Sequence, residues 1–278
     1  MTATAPTVAG SARPLHLGAL TAATALLATL VALAPFPLAS ALFGGRYPDL
    51  GALRVGVTHG FVHLWAAGDG RLGELAATAD FWARFHLVKA TLSSLLLVAV
   101  CILLARVWRA STAAGTRGRR WSLAGLGLGA TGLAVVALLA VVANLQGAVA
   151  PLSSVLGVLS FADPGRPLGP AVEQARQAVE SGATTPAVEV LRADFVRYHA
   201  VMAMLGAAVT SGLIVGAVML WRRRRRTARN ERSWRRVLAA GSIGVLVLAS
   251  AFAVVTAANT STALRPSVAL LGLLAGGA

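Results

Sequence analysis

Charged residues are scarce in this sequence. They make up 13% of its 278 residues, whereas an ordinary soluble domain carries about 25%. Hydrophobic residues make up 56% of the chain, and its mean hydropathy is +0.72. This composition excludes an ordinary soluble domain and predicts an integral membrane protein that is surrounded by a lipid bilayer.

Cysteine is almost absent. The one cysteine, Cys101, lies within a long apolar run. A single cysteine excludes an intrachain disulfide and a zinc site built from several cysteines. We interpret Cys101 as a small buried hydrophobe of a membrane span.

Acidic residues are also few, with 10 Asp and Glu against 25 Lys and Arg and a net charge of +15. The excess arginines are concentrated in two short segments, residues 106–120 and 222–236, that separate apolar runs. No aromatic residues interleave with the run of five arginines at 222–226, so we expect no nucleic-acid partner. Cytoplasmic loops of membrane proteins carry such an arginine excess, and we expect these loops to contact anionic lipids.

Five apolar runs are each long enough to cross a hydrocarbon core of about 30 Å. They cover residues 17–43, 84–108, 122–148, 197–221 and 236–259. With the arginine-rich loops inside, the N-terminus is cytoplasmic and the C-terminus is extracytoplasmic in the plasma membrane. The first run ends in Ala39-Ser40-Ala41, a pattern like a signal-peptidase site. Because it is long and interrupted by prolines, we favour a retained first helix over a cleaved signal sequence.

A five-residue pattern, aromatic-x-Arg-aromatic-His, occurs twice. It reads WARFH at 82–86 and FVRYH at 195–199, an offset of 113 residues. The same offset matches Trp-Arg at 108–109 with 221–222, and an offset of 115 matches Ala-Asn at 143–144 with 258–259 and proline 151 with proline 266. These matches predict two tandem copies of one helical hairpin. Two hairpins of the same orientation are expected to be related by an axis along the membrane normal.

The predicted fold is therefore an all-α integral membrane protein with five transmembrane helices. Two duplicated hairpins form a four-helix bundle, and the N-terminal helix is added to it. The predicted segments are an N-terminal tail and first helix (1–43), an extracytoplasmic segment with a His-x-x-x-His motif (44–79), the first hairpin (80–160), an extracytoplasmic cap (161–192) and the second hairpin (193–278). Within the cap, an amphipathic helix is predicted from Pro170 to Glu180, and another helix start at Thr185-Pro186.

The depth of the histidines follows from the tryptophans. His86 and His199 each lie 22 residues before a tryptophan, Trp108 and Trp221 respectively. In an α-helix this separation is about 33 Å. If the tryptophans mark the inner interface, both histidines lie at the outer interface.

The other polar residues of the two copies are predicted at the same depth, around one outward-facing mouth. These candidate ligand-binding residues are Arg84, Lys89, Asn144, Arg197 and Asn259. Separately, the asparagines could cap helix ends, and the arginines could bind lipid phosphate.

The lone lysine, Lys89, follows His86 by one helical turn inside the second apolar run. An ionisable residue at this place faces the bundle interior or a wet cavity, or it extends outward to a lipid phosphate. Its counterpart in the second copy is Met202, one turn after His199. The two halves are therefore not chemically equivalent.

Four histidines are candidate metal or haem ligands: His59, His63, His86 and His199. His59 and His63 lie on one face of any helix that contains them, a spacing that suits one metal ion. His86 and His199 could clamp a haem b between the second and fourth spans, or bind a transition metal with His59 and His63.

Two aspartates, Asp80 and Asp194, precede the histidines. Each could orient an imidazole as an outer hydrogen-bond partner or pair with the nearby arginine, and we favour the ion pair.

Three functions fit these patterns. We favour a haem- or metal-dependent membrane oxidoreductase. The alternatives are a binding or transport protein for an anion or a lipid head group, and an accessory membrane subunit without catalysis. The sequence carries no Gly-x-Ser-x-Gly, no nucleotide-binding loop and no His-Glu-x-x-His, so no catalytic residue is assigned. The alanine-, glycine- and arginine-rich composition is typical of a GC-rich bacterial genome.

Overall fold

The computed structural model describes residues 17–45, 47–159 and 165–276, with side chains from residue 167 onward in the last range. The predicted N-terminal tail (1–16) and the first part of the predicted cap lie outside the described residues. All regular structure within the described ranges is helical. In chain order the helices are α1 (Leu17–Leu33), α2 (Pro35–Leu42), α3 (Leu50–Ala67), α4 (Glu74–Ala113), α5 (Arg117–Val149), α6 (Pro151–Leu156), α7 (Gly165–Glu180), α8 (Pro186–Arg226), α9 (Arg232–Leu264) and α10 (Pro266–Leu274).

Four of these helices, α4, α5, α8 and α9, are long and apolar enough to cross a membrane. They form two antiparallel hairpins, α4–α5 and α8–α9, which contact each other mainly through α5 and α8. The prediction of an all-α membrane protein with a four-helix bundle is confirmed. We call the end with the two arginine-rich turns the arginine end and the opposite end the histidine end.

The first apolar run is not one straight helix. It forms α1 and α2, which meet at an angle of 66°. Pro35 is the first residue of α2. A proline has no N–H to donate to the carbonyl four residues earlier, and its ring clashes with that carbonyl, so the helix bends there. Both α1 and α2 pack against α4, and the predicted single span 17–43 is a bent helix pair.

Helices α4 and α8 extend well beyond the predicted spans at the histidine end. Each begins about three turns before the predicted start of its span, at Glu74 and Pro186. The predicted helix start at Thr185-Pro186 is observed, and the Thr185 hydroxyl accepts a hydrogen bond from the Val188 N–H at 3.4 Å. The predicted amphipathic helix is the second part of α7.

The largest buried core lies in a helical cap at the histidine end, built from α2, α3, α6, α7, α10 and the first turns of α4 and α8. Its fully buried side chains include Leu53, Phe61, Leu64, Leu75, Leu156, Leu191 and Leu270. Burial of each such side chain contributes about 1.5–3 kcal/mol. By contrast, only 17% to 28% of the apolar windows of the four long helices are buried inside the protein. The cap therefore holds the tertiary packing, and the long helices present most of their surface to lipid.

The single cysteine differs from the prediction. Cys101 is exposed on α4, so its thiol faces the surroundings of the bundle and is not part of a buried core.

Candidate functional site

In the first hairpin, α4 and α5 are joined by a histidine–asparagine hydrogen bond. His86 Nδ1 lies 2.8 Å from Asn144 Oδ1. The Asn144 amide nitrogen donates to the Ala140 carbonyl at 2.6 Å, so its oxygen is the atom that faces the imidazole. An amide oxygen only accepts, and therefore Nδ1 of His86 carries the proton.

The second hairpin repeats this arrangement between α8 and α9. His199 Nδ1 lies 2.8 Å from Asn259 Oδ1. The Asn259 amide nitrogen donates to the Val255 carbonyl at 2.9 Å, which fixes the Nδ1–H form of His199 by the same argument. Each histidine is thus paired with the asparagine of its own hairpin.

The other nitrogen of His86 is also bonded. His86 Nε2 lies 3.1 Å from the Ser154 hydroxyl on α6, and Trp82 Nε1 lies 3.0 Å from the same oxygen. An indole N–H can only donate. The Ser154 oxygen therefore accepts from Trp82 while its hydroxyl donates to His86, and the hydrogen-bond chain is complete.

The second hairpin lacks this part of the chain. Helices α6 and α10 both begin at a proline, Pro151 and Pro266. Alignment on these prolines puts Ala269 in the place of Ser154, and the offset of 113 puts Phe195 in the place of Trp82. Neither side chain has a polar hydrogen.

Among the described residues, His199 consequently makes a side-chain hydrogen bond only through Nδ1. Its ring contacts two aromatic rings edge-on, with centroids 4.6 Å away at Phe195 and 5.5 Å away at Tyr198. The lone pair of Nε2 is left available.

A cleft of about 470 Å³ separates the two hairpins at the histidine end. Its walls come from the first turns of α4 and α8 and from the start of α6. The lining residues include Ala76, Ala79, Asp80, Ala193, Asp194 and Arg197. The cleft is thus mainly apolar, with charges of both signs.

The two aspartates that line the cleft each have an arginine partner, of which Arg197 lines the cleft and Arg84 does not. Arg84 Nη2 lies 2.7 Å from Asp80 Oδ2. Arg197 Nη1 lies 3.7 Å from Asp194 Oδ1, and the other carboxylate oxygen of Asp194 accepts from the Ser153 N–H at 2.7 Å. The favoured interpretation of both aspartates as ion-pair partners agrees with these distances.

The remaining predicted site residues lie elsewhere. His59 and His63 are exposed on α3, whose buried face points into the cap. Lys89 is half-buried, with Nζ 5.7 Å from the ring centroid of Phe85, so it extends toward the histidine end. Within the described ranges, no three His, Cys, Asp or Glu side chains are grouped so that they could hold a metal ion.

The structure therefore divides the predicted mouth. Arg197 lies in the cleft, the histidine–asparagine pairs lie inside the hairpins, and His59 and His63 lie on the cap surface. On α8, Arg197 and His199 are two positions apart and so point to opposite sides of the helix.

Two residues of the site region were missed in the sequence. Ser154 donates a hydrogen bond to His86 Nε2 from the short helix α6, whose sequence predicts only an apolar tail. Gln146 is buried, and its amide donates to the Tyr198 carbonyl at 3.1 Å, which links α5 to α8. An amide within an apolar run was the available signal for Gln146, since such a group must find a partner.

Comparison with models of protein families, with curated proteins and with solved structures finds no match to this chain. Any function must therefore be argued from the site itself.

Proposed function

We propose that this protein is a plasma-membrane binding protein for an amphiphile whose head group carries both a positive and a negative charge. The observation that carries this proposal is the cleft between the hairpins, with two carboxylates and a guanidinium set into an apolar wall. This refines the anion or lipid-head-group interpretation of the sequence, because the arginine that lines the cleft, Arg197, has a carboxylate beside it.

Asp194 offers a position for a cationic group. Only 10% of its side chain is exposed, and Oδ2 is used by the Ser153 N–H. Oδ1 is 3.7 Å from Arg197, which is too far for a direct hydrogen bond. A ligand ammonium can therefore donate to Oδ1, while the half-exposed Arg197 guanidinium binds a phosphate or carboxylate.

The depth of the cleft favours a lipid-like ligand. Arg84 and Arg197 stand at the first residues of the predicted spans, so the cleft lies at the level expected for head groups. Its apolar lining, which includes Leu72, Leu152 and Val190, suits the first methylenes of an acyl chain. A phosphate beside an ammonium fits this combination best.

The same proposal includes a topology. The arginine end faces the cytoplasm and contacts anionic lipid, the N-terminus is inside, and the cap and C-terminus are outside. The arginine-rich turns support it, as do Trp121 and Trp221, which are 68% and 38% exposed near that end, as expected for an interfacial belt. In a Cys101→Ser background, we expect a membrane-impermeant maleimide to label Thr184→Cys in intact cells and Thr116→Cys only after lysis. Labelling of Thr116→Cys in intact cells would overturn this topology.

A tandem duplication of one hairpin is the simplest account of the matched sequence. Its support is the equal 33-residue length of α5 and α9 and the histidine–asparagine pair in each hairpin. The haem and four-histidine metal hypotheses stay predictions without support from the geometry, because a bis-histidine haem needs a lone pair on His86 that already accepts from Ser154.

Lipid binding to the purified full-length protein tests the proposal. We expect phosphatidylethanolamine to bind more tightly than phosphatidic acid or a cationic amphiphile of equal chain length. Ala193→Phe should fill the cleft and weaken binding about 10-fold or more, since each lost charge-assisted hydrogen bond costs about 1.5–3 kcal/mol. Ala208→Phe, an exposed position further along α8, is the matched control.

Two results would overturn the proposal. One is equal binding by the Ala193→Phe and Ala208→Phe variants. The other is binding that does not depend on the charge of the head group.

A further inference from the structure

We propose that Ser154, His86 and Asn144 form a serine–histidine–asparagine catalytic triad that hydrolyses an acyl ester of the amphiphile bound in the cleft. This activity goes beyond binding, and it rests on the proposed function for its substrate.

The first observation is the order of the hydrogen bonds. The Ser154 hydroxyl donates to His86 Nε2 at 3.1 Å, and His86 Nδ1–H donates to Asn144 Oδ1 at 2.8 Å. A nucleophile that donates to a base, with that base oriented by a third group, is the arrangement that activates a serine hydroxyl. The arrangement is recognised by geometry on unrelated folds, and asparagine can be its third member.

The second observation is that the base is held in the required form. The Asn144 amide nitrogen donates to the Ala140 carbonyl at 2.6 Å, which fixes the amide oxygen toward the ring. His86 therefore carries its proton on Nδ1, and its unprotonated nitrogen faces Ser154. A general base must accept the proton of the nucleophile from this position.

The third observation is that the triad borders the cleft. Pro151 and Ala83 line the cleft, and Ser154 and His86 each follow one of them by three residues. Residues three apart on a helix are neighbours on its surface. Both Ser154 and His86 are half-buried, so neither is enclosed in the core.

The proposed head-group site lies beside the same short helix. Asp194, the proposed partner of the ligand ammonium, accepts a hydrogen bond from the N–H of Ser153 at 2.7 Å. Ser153 is the residue next to Ser154. A ligand held by its head group at Asp194 therefore presents its first ester bonds close to the nucleophile.

The fourth observation is the comparison with the second hairpin. It keeps the histidine–asparagine bond but has Ala269 in place of Ser154 and Phe195 in place of Trp82. A hairpin of this type thus forms without the hydroxyl and without the indole N–H. Packing of the hairpin does not require these two groups, whereas an esterase requires a nucleophile and a donor beside it.

The reaction needs only the ester and water. Ser154 Oγ bonds to the ester carbonyl carbon as its proton passes to His86 Nε2. The Trp82 N–H, 3.0 Å from Oγ, is the donor beside the developing oxyanion. The bond from the carbonyl carbon to the alcohol oxygen breaks, and His86 protonates that oxygen. Water then attacks the acyl-serine and gives a proton to His86, which returns it to Oγ as the fatty acid leaves.

A fluorophosphonate without a lipid head group tests the triad in the purified full-length protein. We expect peptide mass spectrometry to find the adduct on Ser154 of the unmodified chain, a result that no folding defect of a variant can mimic. Ser154→Ala should abolish the label. Ser153→Ala is the matched control and should react as the parent does, because its hydroxyl has no hydrogen-bond partner among the described residues.

Release of fatty acid from mixed micelles of phosphatidylethanolamine tests the substrate. Release should be lost in Ser154→Ala and strongly reduced in Ala193→Phe, and it should be unchanged in Ala208→Phe. Asn144 is a positioning residue, so Asn144→Ala should lower kcat about 10²-fold by misplacing the base and leave KM unchanged. A variant that had merely lost its fold would not keep the parent KM.

Absence of an adduct on Ser154, or equal labelling of Ser154→Ala and the parent, overturns the triad and leaves the proposed lipid binding intact. An adduct on Ser154 without release of fatty acid also overturns the proposal, because the bound lipid is then not a substrate. Failure of the proposed binding would instead be seen as equal lipid binding by Ala193→Phe and Ala208→Phe.

Discussion

In the first hairpin the imidazole of His86 is bonded at both nitrogens, whereas in the second hairpin that of His199 is bonded at one. The two hairpins have nearly equal helix lengths and share the asparagine partner and the protonated Nδ1 of the histidine. The surroundings of the two imidazoles differ at Nε2. The comparison teaches that the histidine–asparagine bond links two helices in both hairpins. Whether the histidine Nε2 is available for a ligand depends on the short helix that follows each hairpin, α6 or α10.

Removal of each histidine should give the largest difference between the hairpins. His86→Ala leaves the Asn144 amide oxygen without a donor and the Ser154 hydroxyl without an acceptor, and it should lower the free energy of unfolding by about 2–5 kcal/mol. His199→Ala leaves only the Asn259 amide oxygen without a donor and should cost about 1–3 kcal/mol. Denaturant or thermal unfolding in detergent measures both. An equal loss in the two variants would contradict the difference.

A methyl group beside His86 should give the next effect. A Cβ at Gly147 would lie 2.6 Å from His86 Nε2, so Gly147→Ala must displace the ring and should cost about 1–3 kcal/mol. Gly129→Ala is the control on the same helix, because its Cβ meets no atom within 4 Å. If both variants unfold at the same temperature, the ring of His86 does not pack against Gly147.

Loss of the Ser154 hydroxyl, which donates to His86 Nε2, should have a smaller effect on stability. Ser154→Ala removes a hydrogen bond to His86 and leaves the Trp82 N–H unpaired, at a cost of about 1–2 kcal/mol. Ala269→Ser in the second hairpin should be neutral or slightly stabilising, because it adds a donor where an acceptor is available. If Ala269→Ser is destabilising and Ser154→Ala is neutral, the assignment is wrong that Nε2 of His86 is hydrogen-bonded and Nε2 of His199 is not.

The link between the hairpins should give the smallest effect. Gln146→Leu removes the bond to the Tyr198 carbonyl and should cost about 0.5–1.5 kcal/mol. Its counterpart at the offset of 115 is Ser261, for which no such bond is described, so Ser261→Ala should leave stability unchanged. Unfolding curves of the two variants that coincide would show that the hairpins are not coupled through Gln146.

The sequence was sufficient for the long helices and for the end of the bundle at which both histidines lie. Hydropathy and run length located the spans, and a constant offset placed His86 and His199 in equivalent positions. Depth alone does not specify direction around a helix axis. For that reason the sequence predicted one shared mouth, whereas the structure keeps each histidine with the asparagine of its own hairpin.

The cap could be predicted only in part. The α7 helix and the start of α8 carry local signals, namely amphipathic periodicity and a threonine followed by proline. The short helices α6 and α10 begin at prolines but carry few polar residues, so nothing local distinguished them from apolar tails. The cleft arises where two long helices separate, and that gap depends on packing between segments distant in the chain.

Chemical modification of the imidazoles tests the central comparison most directly. Diethylpyrocarbonate acylates an imidazole nitrogen that has a free lone pair, and peptide mass spectrometry resolves each histidine. We predict rapid labelling of His199 and slow labelling of His86. Labelling of His86 should become rapid in the double variant Ser154→Ala and Trp82→Phe, because Nε2 then has no hydrogen-bond donor. Equal labelling of His86 and His199 in the unmodified chain would contradict the account.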